Sequence, residues 1–140
     1  MFKSLLATDG SQHAERATRF LLRVAATGMP IEVVILNVQP EVVDWQTHGL
    51  AKESMTAQRE FLGSQATEGA RRLIEAAGIG YTVHVVLGDP AKTIVDFARQ
   101  DGFDWIVMGT RGMGAFEGLA LGSVAHKVVH LASVPVTLVK

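Results

Sequence analysis

Two kinds of periodicity alternate along this chain from one end to the other. Short runs rich in β-branched residues indicate strands, and between them apolar residues recur every three or four positions, which indicates helices. The order β-α-β-α-β-α-β-α-β, with crossovers long enough for a helix, predicts one open parallel sheet with helices on both faces. We expect a single α/β domain over residues 1–140, doubly wound and Rossmann-like, with strand order 3-2-1-4-5. The predicted strands are Phe2–Thr8, Ile31–Val38, Tyr81–Leu87, Asp104–Met108 and Val136–Val139.

The apolar residues of the helical segments predict which side of each helix faces the sheet. Asp89 and Pro90 are expected to be the N-cap and the first-turn residue of the third helix. The last helix, Ser123–Ala132, is expected to point Val124, Val128 and Leu131 inward. The second helix ends at Gly78, and its inward face is predicted to carry Phe61 or Leu62, Ala66, Ala70, Leu73 and Ala77.

Composition excludes several classes of protein. Hydrophobic residues make up 48% of the 140 residues and charged residues 19%, which excludes a disordered chain. A formal net charge of -1 argues against a partner held by bulk charge, such as nucleic acid or an anionic membrane. Cysteine is absent, which excludes disulfides and thiolate metal sites. Asp9 interrupts the amino-terminal apolar run too early for a signal peptide, and no apolar run approaches membrane-spanning length. We therefore expect a soluble, cytoplasmic domain without membrane insertion.

The carboxyl ends of the strands are where a ligand site is expected. In open α/β sheets ligands bind beyond these ends, where the strand order reverses. The loops to examine follow the first, second and fourth strands, and they begin at Thr8, Val38 and Met108.

The loop after the fourth strand is unusually rich in glycine. The window 109–122 (GTRGMGAFEGLALG) holds five of the fourteen glycines, and it lies between a predicted buried strand and the helix that Ser123 begins. Glycine clustering indicates positive φ angles or the close approach of a ligand. Backbone N–H groups beside a helix N-terminus attract phosphate. The window predicts a phosphate-binding loop, and a flexible connection with a glycine-assisted turn is the alternative. It is not a P-loop, since no lysine follows a glycine here.

The glycine spacing resembles a known family motif. Gly109, Gly112, Gly122 and Ser123 form the phrase G-x2-G-x9-G-S, which is similar to the nucleotide-binding motif of the universal stress protein family, in its ATP-binding branch. Asn37 is a departure, because the family commonly has histidine there. The resemblance extends over the whole chain through residues 7–11 (ATDGS), 36–38 (LNV), 87–90 (LGDP) and 134–139 (VPVTLV).

The resemblance implies a role for each matching residue. Asp9, after Thr8, would contact the ribose or adenosine end, and Val38 would offer its backbone to the adenine edge. Met108, Gly109 and Gly112 would line the ribose and phosphate path, with Arg111 and Gly114 in the same loop. Gly122, Ser123 and Val124 would hold the phosphates. Two of these positions also have structural explanations: Asp9 as N-cap of the first helix in a capping box with Gln12, and Ser123 as N-cap of the last helix.

The charge available for ATP is small. ATP brings about four negative charges, whereas the loop supplies only Arg111, which could equally be a solvated surface cation; Lys127 lies one turn into the next helix. A helix N-terminus adds roughly half a positive charge. We expect Mg²⁺ or Mn²⁺ to be held mainly through the phosphates, and Glu117 to point away. His126 and His130 have the spacing of a ligand pair, but no third ligand is near them in sequence, so no protein metal site is predicted.

These features favour a nucleotide-dependent signalling or stress-response module over an enzyme. No catalytic base is identified in the sequence, so turnover is expected to be slow or absent; a weak ATPase or phosphotransferase is the alternative. A phospho-receiver domain would need further acidic residues beside Asp9. The closing strand, Val136–Val139, carries no charge that would protect an exposed edge, and the family resemblance implies a homodimer formed there. Its client is not indicated.

Overall fold

Strands and helices alternate along the chain in a computed structural model, which describes residues 1–41, 52–112 and 121–140. Gly114, Glu117 and the segment 42–51 therefore lie outside the described residues. The strands are β1 (Phe2–Ala7), β2 (Ile31–Gln39), β3 (Tyr81–Leu87), β4 (Trp105–Gly109) and β5 (Val136–Val139). The helices are α1 (Gln12–Ala26), α2 (Lys52–Ala76), α3 (Pro90–Gln100) and α4 (Ser123–Leu131).

The five strands form one parallel sheet in the order β3-β2-β1-β4-β5. The predicted fold class and strand order are therefore confirmed. Helices α1 and α2 pack on one face of the sheet, and α3 and α4 pack on the other. The central strand β1 is covered by helices on both faces. Leu5 faces α3 and α4, Leu6 faces α1 and α2, and both are fully buried. Because both faces are buried, the sequence of β1 is a continuous apolar run.

The inward face of α2 differs from the prediction. Phe61 is 62% exposed and Leu62 is 40% exposed, so neither belongs to the core. Ala70 is buried as predicted, whereas Ala77 is exposed and lies beyond the end of the helix. The buried stripe runs through Gly63, Thr67, Ala70 and Ile74. At Gly63 the helix lies so close to β3 that a Cβ would overlap the Val85 side chain. The Thr67 side chain can be buried at this position, because its hydroxyl donates a hydrogen bond to the Gly63 carbonyl at 2.8 Å. Because Gly63 and Thr67 are not large apolar residues, the spacing of apolar residues in the sequence does not identify them as part of the buried face.

The ends of the last two helices test the capping predictions. Asp89 is the N-cap of α3, accepting a hydrogen bond from the Lys92 amide, and Pro90 is in the first turn, as predicted. In α4 the buried residues are Ala125 and Val128, whereas Leu131 is 52% exposed, so its predicted inward position is wrong. Leu131 is the last residue of the helix, where the chain turns away towards β5. No helix within the described ranges is both long enough and apolar enough to cross a bilayer.

Candidate functional site

A cavity of about 450 Å³ opens at the carboxyl ends of β1, β2 and β4. Its volume lies within the range of roughly 300–1,000 Å³ that is usual for small-molecule sites. Ser11 and Ala14, around the start of α1, and Pro90 and Ile94 of α3 also border it. All the predicted site residues that the structure describes line it: Thr8, Asp9, Val38, Met108, Gly109, Arg111, Gly112, Gly122, Ser123 and Val124. Gly114 is outside the described residues.

Three glycines of the cavity wall lie close to other atoms. A Cβ at Gly109 would lie 2.7 Å from the Cβ of His13, and one at Gly122 would lie 3.2 Å from the Cα of Arg111. A Cβ at Gly112 would overlap a carboxylate oxygen of Asp9. None of the three has a positive φ. At these three positions glycine therefore allows close packing around the cavity, and no left-handed backbone angle is involved.

The turn after β1 is held by two hydrogen bonds from backbone N–H groups to side chains of the turn. Gly10, at φ +83°, donates its N–H to the Thr8 hydroxyl at 3.2 Å. Asp9 accepts the N–H of Ser11 at 2.9 Å through Oδ1. Ser11 is the N-cap of α1 and accepts the Ala14 N–H, so the prediction of Asp9 as N-cap is wrong. Asp9 instead closes a local turn that directs its other carboxylate oxygen towards Gly112 at the cavity wall.

Asn37 is a site residue whose structural role the sequence did not reveal. It is 2% exposed, and its Nδ2 donates a hydrogen bond to the Thr8 carbonyl at 2.8 Å. Gln39 in turn donates to the Asn37 Oδ1 at 2.7 Å. This network ties the end of β2 to the turn that presents Asp9. The signal in the sequence was a polar residue within a β-branched run, because a buried amide needs hydrogen-bond partners.

The N-terminus of α4 borders the cavity without a side-chain cap. Gly122 is the N-cap, with extended backbone angles, and no side chain among the described residues caps it. Ser123 is the first helical residue, so its prediction as N-cap is wrong; the Gly122 N–H already donates to the Thr110 carbonyl at 2.7 Å. The N–H groups of the first turn have no partner within a helix. They give this end of the cavity a partial positive charge.

Arg111 brings the one full positive charge among the described lining residues of the cavity. It is partly buried, and its Nη2 lies 3.4 Å from the Nε2 of His13. This contact joins the loop after β4 to the first turn of α1. Burial of the ring, together with the positive charges of Arg111 and Arg16, lowers the pKa of His13 below 6.5, and Asp9 opposes that shift.

Metal ligands are not clustered in the part of the chain that the structure describes. No group of three or more histidine, cysteine, aspartate or glutamate side chains within it is arranged to hold an ion. His126 and His130, which have the spacing of a ligand pair, are both exposed on α4.

Comparison with known proteins agrees with this fold. The model of the universal stress protein family matches residues 1–140. The chain belongs to the universal stress protein family. A universal stress protein of Thermus aquaticus, encoded 3′ of a QAH/OAS sulfhydrylase, is 34% identical over 142 residues, which cover 100% of each chain. The family resemblance predicted from the glycine spacing is therefore confirmed.

Two solved structures of archaeal universal stress proteins extend the comparison. The protein MJ0577 of Methanocaldococcus jannaschii superposes with a TM-score of 0.85 and 27% identity, covering 99% of this chain and 95% of that one. The universal stress protein from Archaeoglobus fulgidus, solved in complex with dAMP, has a TM-score of 0.64 and 27% identity. The match covers 100% of this chain and 98% of the A. fulgidus chain.

Proposed function

We propose that this protein binds ATP in the cavity at the carboxyl edge of the sheet and acts as a nucleotide-dependent regulator with slow or no turnover. The observation that carries the proposal is the glycine wall, formed by Gly109, Gly112 and Gly122, which leads to the uncapped N-terminus of α4. The A. fulgidus relative in complex with dAMP supports an adenine nucleotide as the ligand class.

Different lining residues of the cavity suit different parts of the nucleotide. Asp9 accepts hydrogen bonds, as ribose hydroxyls require, and Val38 offers backbone groups to the adenine edge. The N–H groups of Ser123 and Val124, in the first turn of α4, suit phosphate oxygens. Arg111 adds a full positive charge beside them. The cavity therefore offers hydrogen-bond acceptors for the sugar, and donors with a positive charge for the phosphates.

A divalent cation would be held mainly by the nucleotide itself. Mg²⁺ favours phosphate oxygens and water, supplemented by one or two carboxylates. The described residues offer no ligand cluster of their own, but the charge of about -4 on ATP exceeds what Arg111 and a helix terminus balance. We propose that Mg²⁺ or Mn²⁺ enters bound to the phosphates.

The same loop connects the cavity to an open edge of the sheet. Gly109, in the cavity wall, pairs with Val139 of β5, and the Thr110 N–H donates to the Val139 carbonyl at 2.9 Å. Strand β5 is at the sheet edge, and all four of its residues are partly exposed. We propose that β5 pairs with a second copy in a homodimer, and that nucleotide occupancy biases this pairing through the β4–β5 hydrogen bonds.

Binding is tested with a glycine that the cavity requires and a glycine that it does not. Equilibrium dialysis of the purified protein with ATP and Mg²⁺ should give saturable binding, and Gly122→Val should abolish it, because a side chain there meets the backbone of Arg111. The matched control is Gly80→Val, since a Cβ at Gly80 has nothing within 4 Å. No binding up to millimolar ATP would refute the proposal, and so would equal affinity in Gly122→Val.

The dimer is tested in a chain that contains no native cysteine. Single cysteines placed in turn at the four positions of β5 should include at least one that forms an interchain disulfide on mild oxidation, because antiparallel pairing brings a strand beside its own copy. Gln100→Cys, exposed at the end of α3, serves as the control for random collision. A monomeric mass by light scattering, with no cross-link above that control, would exclude pairing through β5.

A further inference from the structure

His13 lies where the first turn of α1 meets the wall of the cavity. It is the second residue of the helix, and its neighbours Ser11 and Ala14 line the cavity. The backbone of Gly109 packs directly against it, since an added Cβ would come within 2.8 Å of the His13 carbonyl carbon. Its ring Nε2 is 3.4 Å from the guanidinium of Arg111. The imidazole is therefore held behind the one cationic side chain that lines the described part of the cavity.

Charged groups reach His13 from three elements. Arg111 faces it from the loop after β4, Arg16 from its own helix, and Asp9 from the turn after β1. Guanidinium can only donate hydrogen bonds, so a neutral imidazole with its proton on Nδ1 is the form that could accept one from Arg111 at Nε2, 3.4 Å away. Burial and the two arginines favour this neutral form, whereas Asp9 favours the protonated one. A new negative charge beside Arg111 would shift the balance towards protonation.

The phosphates of the proposed nucleotide would supply that charge. The Cα of Arg111 lies beside Gly122, the N-cap of α4, so its side chain is the positive group next to the phosphate-binding helix end. A monophosphate can be satisfied by the N–H groups of α4 alone. A longer phosphate tail carries further negative charge that these N–H groups do not neutralise, and Arg111, with the neutral His13 imidazole in contact with its guanidinium, is the positive group next to them.

We infer that His13 is a specificity-determining residue, which with Arg111 makes the site favour nucleotides with a polyphosphate tail over monophosphates. This inference rests on the proposed function. When the tail neutralises Arg111, the imidazole takes up one proton from solvent and adds a second positive charge beside the outer phosphates. Binding of ATP then involves uptake of up to one proton, whereas binding of AMP involves less.

The sign of the pH dependence follows from linkage between proton and ligand binding. The pKa of His13 is lowered in the free protein, and the polyphosphate raises it. ATP affinity therefore increases as the pH falls through the higher pKa of the complex, and it levels off below the lower pKa of the free protein. Each pKa unit between the two states corresponds to a tenfold change in affinity.

The test compares ATP and AMP as ligands of the full chain by titration calorimetry between about pH 8 and pH 5.5. In the wild type, the ratio of ATP affinity to AMP affinity should rise about fivefold on acidification, within the tenfold that one pKa unit allows. In His13→Gln the rise should disappear, because glutamine still accepts a hydrogen bond from Arg111 but takes up no proton. His130→Gln is the control, since this imidazole is exposed at the far end of α4. Both nucleotides titrate near pH 6 themselves, so the variants are compared at each pH.

A second readout follows the imidazole directly. In nuclear magnetic resonance titrations, saturating ATP should raise the pKa of His13, and AMP should raise it less. An equal pH dependence of the affinity ratio in wild type and His13→Gln would overturn this inference while leaving the proposed nucleotide site intact. A His13 pKa that ATP leaves unchanged would overturn it as well. Failure of the wild type to bind either nucleotide would refute the proposed function, and the inference with it.

Discussion

The two ends of the same strands are built from different chemistry. At the carboxyl ends of β1, β2 and β4, glycines and hydrogen-bonded polar side chains surround a cavity. At the amino ends, Phe2 and Phe20 pack edge-on against Trp105, with ring centroids 5.8 Å and 6.2 Å apart. The indole N–H donates to the Thr137 hydroxyl at 2.7 Å and ties β4 to β5. We call Phe2, Phe20 and Trp105 the amino-end cluster.

This contrast indicates that residues at the amino ends of the strands mainly stabilise the fold, whereas residues at the carboxyl ends form the cavity. The amino-end cluster packs three partly buried rings together, and the indole N–H has a hydrogen-bond partner, so this end of the sheet is stabilised by side-chain packing. The carboxyl edge gives up side-chain packing, because at positions 109, 112 and 122 glycine lets the backbone lie close to His13, Asp9 and Arg111 around the cavity. The parallel strands place every amino end together and every carboxyl end together, so the two tasks are separated by the length of the strands.

The largest expected effect comes from removing the centre of the amino-end cluster. Trp105→Ala should lower the free energy of unfolding by about 3 kcal/mol, because it deletes two ring contacts and leaves a cavity. ATP affinity should stay within about twofold of wild type, since Trp105 is at the opposite end of β4 from Gly109. Urea denaturation followed by circular dichroism measures the first quantity, and equilibrium dialysis measures the second.

The control for this experiment keeps an aromatic ring but removes the indole N–H together with the rest of its five-membered ring. Trp105→Phe should cost about 1 kcal/mol for the lost hydrogen bond, plus a smaller loss of packing, and so less than Trp105→Ala. If Trp105→Ala weakened ATP binding tenfold in protein that is still folded, the two ends of the sheet would be coupled and the proposed division of tasks would be incorrect.

The next effect, expected at the carboxyl edge, should alter stability and binding together. Asn37→Ala removes the donor to the Thr8 carbonyl and leaves that buried carbonyl without its partner, which should cost about 2 kcal/mol. The turn that presents Asp9 is then held less firmly, so ATP affinity should fall about fivefold, equivalent to about 1 kcal/mol. Calorimetric titration and urea denaturation of the same preparation measure both.

Gln39→Ala separates the two contributions of this network. Its side chain is only partly buried, so water can replace its hydrogen bond to the Asn37 Oδ1, and the loss of stability should be below about 1 kcal/mol. If Gln39→Ala lowered the free energy of unfolding as much as Asn37→Ala does, the hydrogen bond from Asn37 to the Thr8 carbonyl would not be the main source of the stability.

The sequence predicted the sheet well because its signals are local. The change from β-branched runs to helical periodicity identifies each strand and helix within a short window, and the carboxyl-end rule points to Thr8, Val38 and Met108 without knowledge of any contact. Asp89 and Pro90 were likewise assigned from adjacent residues.

What the sequence did not predict depends on contacts between distant residues. Asn37 acts through Thr8, which is 29 residues away, and His13 acts through Arg111, which is 98 residues away. Neither partner can be inferred from spacing along the chain. The α2 face was misassigned for a related reason: Gly63 faces inward only because β3 approaches it, and that approach is a property of the folded sheet. Local patterns predict the elements, and the details of the site follow from how those elements meet.

The smallest expected effect compares a hydroxyl within β1 with a hydroxyl in the turn after it. Ser4 and Thr8 are both buried, but the Ser4 Oγ has no hydrogen-bond partner among the described residues, whereas the Thr8 Oγ1 accepts from Gly10. Ser4→Ala removes an unsatisfied polar atom, so the free energy of unfolding should stay the same or rise by up to about 1 kcal/mol. Thr8→Val should lower it by about 1 kcal/mol, because the Gly10 N–H loses its acceptor. Urea denaturation resolves differences of this size when the slopes agree. An equal loss of unfolding free energy in both variants would mean that the Ser4 hydroxyl does form a hydrogen bond. The two hydroxyls would then not differ in their contribution to stability.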